Sequence, residues 1–201
     1  MKLWDKGYNI ESVVDQFTTG KDRQLDLFLA RYDIQASKAH AKMLGEIGIL
    51  DDKELDDITS ALSILNSLIE EGSFEIEEEF EDVHSKIEYE LVKMIGDAGK
   101  KIHTARSRND QVLVDLCLYA KDEIIKIQEL TNLLFQALLN QAEAHKEILM
   151  PGYTHMQIAM PSSFGLWFSA YAESLVDDII LLNAAFKIAD QNPLGSAAGY
   201  G

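Results

Sequence analysis

Apolar residues recur at helical spacing through most of the chain. Leu25, Phe28, Leu29, Tyr32, Ala36, Ala39, Met43, Leu44 and Ile47 follow the three-and-four rhythm of an amphipathic helix, and Gly48 stands where that helix would stop. Asp51 or Asp52 caps a second helix with Leu55, Ile58, Leu62, Leu65 and Ile69 inward, ended by Gly72. A third helix, from about Val83 to Ile95, turns Ile87, Leu91 and Ile95 inward. The acidic run EIEEEFED (75–82) between them predicts a solvated connector, because like charges repel. Two longer stripes follow. Leu113, Cys117, Ala120, Ile124, Ile127, Thr131, Leu134, Leu138 and Ala142 make a near-heptad row. Phe164, Phe168, Tyr171, Leu175, Ile179, Leu182, Phe186 and Ala189 make a second, which starts just after Pro161, a residue suited to a first helical turn. Leu116, Leu130, Leu133 and Leu139 widen the apolar surface of the first long helix, as expected of a helix buried on more than one side.

No strand pattern competes, so the expected fold is all-α. Residues 1–20 lack periodicity and read as an irregular arm. The expected partition is an N-terminal helical domain over 1–103 and, over 104–201, the first two long helices of a bundle. Two such helices, and an end in the Gly-rich NPLGSAAGYG, look like part of a longer chain.

Charge changes the picture next. Thirty-four acids face 18 bases, a net charge of −16. That excludes non-specific nucleic-acid binding, which needs a positive surface, and means that any anion site must be locally basic. The lone Cys117 excludes an internal disulfide and reads as a packed thiol. The start lacks the apolar segment of a signal peptide, and no apolar run is long enough to span a membrane. A cytoplasmic protein without membrane partners is expected.

Three stretches could carry chemistry. In GKKIHTARSRNDQ (99–111), Lys100, Lys101, Arg106 and Arg108 fall in a window, 98–109, that holds no acid. Ser107 and Asn109 add polar groups, and the free N–H groups of a helix start add partial positive charge, which suits a carboxylate or phosphate. Equally, Ser107 and Asp110 could simply cap the helix while the cations sit in solvent. In FEDVHSKIE (80–88), Asp82, Ser85 and Glu88 are cap-type residues. His84 at that helix start would be held neutral by the dipole, and a surface histidine beside a cap is the simpler reading. In MPGYTHMQIAMP (150–161), Pro151 and Gly152 end one helix and Pro161 starts the next, leaving Thr154 and His155 on irregular backbone. Thr154 and Gln157 could close one capped turn. A histidine pinned between rigid helices suits proton transfer, or a hydrogen bond within a helix corner. No metal site is expected, since His40, His84, His103, His145 and His155 form no i, i+4 pair and no Cys–His cluster exists. Neither a dinucleotide fingerprint nor a nucleophile elbow is present.

EDVH with a following Glu (81–84, 88), TARSRNDQV (104–112), PGYTHMQ (151–157) and PLGSAAGYG (193–201), in this order, resemble the argininosuccinate lyase and δ-crystallin family, relatives of fumarase and aspartase. The resemblance implies a helical bundle and a cofactor-free elimination of argininosuccinate to arginine and fumarate. It implies that His155, Thr154 and His84 serve catalysis, and that Ser107, Arg108, Asn109, Arg106 and Gln157 hold substrate. It also implies a homotetramer whose active sites are shared between subunits. An adenylosuccinate lyase-like enzyme and a structural, δ-crystallin-like protein are the alternatives. FTTGKDRQ (17–24) departs from the family's serine-bearing pattern, with Thr19 or Lys21 as stand-ins. LWDKG (3–7) replaces the family's usual LWGGRF. The family's catalytic serine loop would follow residue 201, so the 201 residues alone are expected to have little or no lyase activity.

Overall fold

The computed structural model describes residues 20–193, together with Val14 and Phe17. The irregular arm, Thr19 and all of PLGSAAGYG but its proline lie outside the described residues. Among those described there are seven α-helices and one β-hairpin: α1 (Asp22–Asp26), α2 (Ala30–Glu46), α3 (Asp52–Glu70), α4 (Val83–Ile95), α5 (Asp97–Lys100), α6 (Arg108–Ala144), β1 (Leu149–Thr154), β2 (Gln157–Ser163) and α7 (Phe164–Ala189). A 3₁₀ turn, Lys101–His103, precedes α6. The chain forms two compact units, the second being Ala120–Gln191, so the division falls inside α6.

In the first unit, α2, α3 and α4 enclose one core built on Ile34, Leu44, Ile58, Leu62, Ile87 and Leu91. Asp51 caps α3 through a reciprocal pair: its side chain accepts from the Glu54 N–H at 2.8 Å, and the Glu54 side chain accepts from the Asp51 N–H at 3.1 Å. Gly72 stops α3 at φ 71°, a left-handed conformation that a side chain would resist. The helix expected over 83–95 is α4, with its Asp82 side chain accepting from the Ser85 N–H at 2.7 Å.

The buried face of α2 matches the expected one in part, since Tyr32 and Leu44 are buried. Leu25, Phe28, Met43 and Ile47 are exposed, and the face turned inward carries Ala30, Asp33, Ile34, Ser37, Ala41 and Leu44. Asp33 and Ser37 lie on it because it meets other polar groups, so the apolar count finds only part of this face. The acidic connector is solvated only in its glutamates. Phe74 and Phe80 are buried, and Arg23 donates to the Phe80 and Glu78 carbonyls at 2.9 Å each, tying the connector to α1.

In the second unit, the rest of α6 runs antiparallel to α7. Lys121 pairs with Asp190, and Gln128 donates to Asn183 at 2.9 Å. Near the other end, Gly165 rests on the backbone of Ala142 and Lys146. The hairpin between the two helices corrects the irregular backbone expected at 150–161: these residues form two paired strands joined by a His155–Met156 turn, within a fold that is otherwise helical as expected. Pro161 belongs to β2, and Ser163 caps α7 by accepting from the Leu166 N–H at 3.2 Å. The strands carry Pro151, Gly152 and Pro161, residues poor in strand propensity, and this hid them. The apolar rows of α6 are largely uncovered: Leu130 is 65% exposed and Leu133 66%. Cys117 is half-buried.

A Cβ at Gly165 would lie 2.7 Å from Lys146 Cα and 2.9 Å from the Ala142 carbonyl oxygen, both backbone atoms. Gly165→Ala should therefore lower stability by at least about 1 kcal/mol despite alanine's better helix propensity, read as a lower urea midpoint by circular dichroism.

Candidate active site

The first unit gathers polar side chains from α2, α4 and the start of α6 into a space closed to water. Asp33, His84 and Asp115 are at most 2% exposed. His84 Nδ1 lies 3.3 Å from Asp33 Oδ2 and 3.6 Å from Asp115 Oδ2. Arg106 Nη1 donates to Ser37 Oγ at 3.2 Å, and Ser37 Oγ donates to Asp33 Oδ1 at 3.3 Å. Both oxygens of Asp115 are buried without a hydrogen bond, as are Nε and Nη2 of Arg106. Two carboxylates thus face an imidazole and a guanidinium.

Their protonation follows from this crowding. Burial, reinforced by the charge of Asp33, pushes the Asp115 carboxyl up to about 8, although His84, Arg106 and Arg108 oppose the rise. Burial alone would depress His84, but Asp33 and then Asp115 outweigh it and hold the imidazole above its ordinary range. Burial would likewise raise Asp33, yet His84, Arg106 and Gln111 keep it below the usual carboxylate range. This corrects the expectation that His84 is a neutral surface histidine: it is buried, and its carboxylate neighbours favour the charged form over any effect of the helix dipole.

Asp33, His84 and Asp115 are also a donor set of the kind that holds a divalent cation, a grouping that sequence spacing alone did not reveal. The imidazole and the Arg106 guanidinium already bring positive charge to both carboxylates, so the set is balanced by the chain's own residues.

Next to this cluster, the start of α6 carries the other expected residues. Ser107 Oγ accepts from the Asn109 N–H at 3.0 Å, and Asp110 accepts from the Ser107 N–H at 2.8 Å, so these two do cap the helix. Arg106 and Arg108 are drawn in among polar partners and Lys101 is half-buried, whereas Lys100 stays exposed. Lys100 pairs with Asp97 at 2.7 Å and Lys101 with Glu54 at 2.5 Å. Arg108 donates to Glu88 at 3.2 Å and to Gln111 at 2.8 Å, and its Nε lies 3.4 Å from Asp82. Lys101 and Arg108 are therefore met in space by carboxylates from other elements, and Lys100 by a carboxylate of its own helix. Ala105, just before α6, sits at φ 57°, and His40 Nε2 donates to the neighbouring Thr104 carbonyl at 2.9 Å. A non-glycine residue held in this region stores strain, a feature that clusters at functional sites.

Thr154, His155 and Gln157 belong to the second unit. Thr154 pairs with Gln157 as the last pair of the hairpin, and His155 and Met156 form its two-residue turn at φ 50° and 59°. Positive φ at both positions is the signature of the type I′ turn that matches strand twist. All four residues are exposed, Met156 completely. The structure thus brings His84, Arg106, Ser107, Arg108 and Asn109 into one neighbourhood, and Thr154, His155 and Gln157 into another.

Sequence reasoning passed over Asp33, Gln111 and Asp115. The available signal was a run of polar residues on one helix face: Arg108, Gln111 and Asp115 fall at spacings of three and four, as do Asp33 and Ser37.

A family model described as Lyase matches residues 10–201. The chain belongs to this lyase family. It is 54% identical over 200 residues to the argininosuccinate lyase of Parabacteroides distasonis, covering 100% of this chain and 45% of that protein. To the argininosuccinate lyase of Thermotoga neapolitana it is 48% identical, covering 100% of this chain and 50% of the relative. The chain therefore spans about half the length of these lyases. Among solved structures, an EDDS lyase variant with bound fumarate matches at TM-score 0.76 and 26% identity, over 96% of this chain and 38% of that one. A fumarate lyase:delta crystallin from Brucella melitensis matches at TM-score 0.75 and 17% identity, over 94% and 47%, and shows the shared fold. No helix among the described residues is long and apolar enough to cross a membrane.

The buried cluster makes stability depend on pH. Unfolded Asp115 ionises near 3.8, whereas the folded carboxyl keeps its proton to about 8. Across that window the native state binds more protons, so unfolding free energy falls as pH rises, then levels off. His84 acts in the same sense: its contribution is complete below its unfolded value of 6.5 and is lost as pH climbs through its raised folded value. Asp33 acts oppositely, contributing above 3.8 and losing that contribution as pH falls through its depressed value. Urea unfolding from about pH 5 to about pH 9 should show the decline, and Asp115→Asn should flatten most of it.

Proposed function

We propose that this chain is the N-terminal portion of an argininosuccinate lyase. The observation that carries the reading is the 54% identity with argininosuccinate lyases along the whole chain. The reaction breaks a carbon–nitrogen bond. A base removes the proton from the carbon beside a substrate carboxylate, the electron pair moves into that carboxylate as an aci-anion, and return of the pair expels the guanidinium nitrogen, which leaves as arginine with a proton from an acid. Fumarate remains. No cofactor takes part.

His155, at the tip of a hairpin held between two long helices, is assigned to the acid/base machinery, with Thr154 contacting a substrate carboxylate and Gln157 beside it. Arg108, Ser107 and Asn109 hold substrate at the start of α6, where donors aimed at a developing carboxylate anion stabilise it most, by about 3–4 kcal/mol for a single donor in comparable sites. The buried setting of His84, between Asp33 and Asp115, supports an indirect part in catalysis, through the Asp33 that Arg106 reaches by way of Ser37.

The exposed leucines of α6 support a homotetramer in the full-length protein, in which the two neighbourhoods belong to sites shared between subunits. On this reading the boundary at 103/104 separates the N-terminal domain from the bundle, and the enzyme works in the cytoplasm. Because the chain spans about half of its relatives, the 201 residues alone should show little or no turnover.

In the full-length enzyme, His155→Asn should lower elimination by at least about 100-fold with the fold intact. Near-normal turnover would remove His155 from the mechanism. Assays on argininosuccinate and adenylosuccinate separate the two substrate readings, and inactivity on both would favour the δ-crystallin-like one. Arg108→Ala should raise KM more than it disturbs helicity. Lost ellipticity with normal binding by the surviving fraction would make Arg108 a structural residue only.

A further inference from the structure

Gln111 is a buried polar residue, 1% exposed, with no part in the reaction above. It lies one turn beyond Arg108 on α6. Its Nε2 donates to Asp33 Oδ1 at 3.3 Å, and its Oε1 accepts from Arg108 Nη1 at 2.8 Å. The chemistry of the partners fixes which way the amide points: a guanidinium has only donors, and an ionised carboxylate has only acceptors. The side chain is thereby locked at both ends, one anchored in α2 and the other on the guanidinium.

The remaining acceptors of Arg108 are of a different kind. Glu88 and Asp82 carry charge, and Ser85 Oγ is at 3.5 Å. Guided by the carboxylates alone, the guanidinium would turn toward whichever approached more closely. A third carboxylate in place of Gln111 would also cancel more of the positive charge that an anionic substrate needs. A neutral amide supplies direction without subtracting charge.

We infer that Gln111 is a positioning residue that carries the fixed location of Asp33 to the Arg108 guanidinium and so aims it at a substrate carboxylate. This rests on the assignment of Arg108 as a carboxylate-binding residue. It assigns a polar residue of α6 to specificity for an anionic substrate, and it explains why an amide, rather than a carboxylate or an apolar side chain, occupies that position.

The test is a double-mutant cycle in the full-length enzyme, measuring kcat and KM for argininosuccinate with Gln111→Met, Arg108→Lys and the pair. Gln111→Met should raise KM at least about tenfold, with kcat within about threefold and helicity unchanged. Added to Arg108→Lys, it should raise KM little further, because both act through one guanidinium. Fully multiplicative effects would overturn the relay, as would an unchanged KM in Gln111→Met beside a raised KM in Arg108→Lys. If Arg108→Lys alone leaves KM unchanged, the carboxylate assignment itself fails and the relay falls with it. Should Gln111→Met not fold, Gln111→Glu preserves size and the acceptor toward Arg108 while adding charge. It should likewise raise KM at least about tenfold, and a normal KM there would overturn the proposal.

Discussion

The arrangement on which the first unit depends is the charge cluster among α2, α4 and α6. Hydrophobic burial drives the three helices together, but it has no direction, and a helix can slide or rotate on an apolar surface at little cost. Charges remove that freedom. An ion taken from water without a counterpart costs several kcal/mol, so Asp33 and His84 are tolerable only where they meet each other and Arg106, and Asp115 beside them keeps its proton to about 8. Each comes from a different segment. A one-residue slip of α2 would turn Asp33 away from His84 and Gln111 and strand all three.

The same constraint governs how the site is prepared. The loop 104–107 carries a strained residue, Ala105, and begins a helix whose first residues are the proposed substrate ligands. His40 holds the Thr104 carbonyl from one side, and Ser37 holds the Arg106 guanidinium from the other. Both are residues of α2. A strained loop persists only when its surroundings over-determine it, and here a single rigid helix supplies the restraints.

Much of this was legible in the sequence, and the limits are physical. The helices over 52–70 and 83–95 announced themselves because cap residues and apolar rows agreed, with Asp51 and Asp82 at the starts and leucines and isoleucines inward. The buried face of α2 is legible only in part: Tyr32 and Leu44 fall inward as their apolar spacing predicts, but alanine, serine and aspartate share that face, and a count of large apolar residues passes over them. The hairpin was missed because prolines and a glycine sit in its strands and no glycine or asparagine marks its turn. His84 was found by motif and misjudged by environment: the cap residues beside it are local, while Asp33 and Asp115 lie about fifty and thirty positions away in the chain and arrive only through folding.

A net charge of −16 sets the terms for any anionic ligand. At long range the chain repels a carboxylate, and the basic window of 98–109 does not reverse this, since Glu54, Asp82, Glu88 and Asp97 stand against its cations. Screening confines such repulsion to roughly a Debye length, about 8 Å at physiological salt. Inside that distance the outcome depends on which donors are already oriented and desolvated. Arg108, whose Nη1 is held by the Gln111 amide oxygen, is oriented by the chain's own residues, so on the proposed reading little ordering remains to be done at the moment of binding. On that reading recognition in an acidic protein is a matter of short-range geometry, and the uncharged amide proposed to aim Arg108 supplies direction there without reducing the charge it directs.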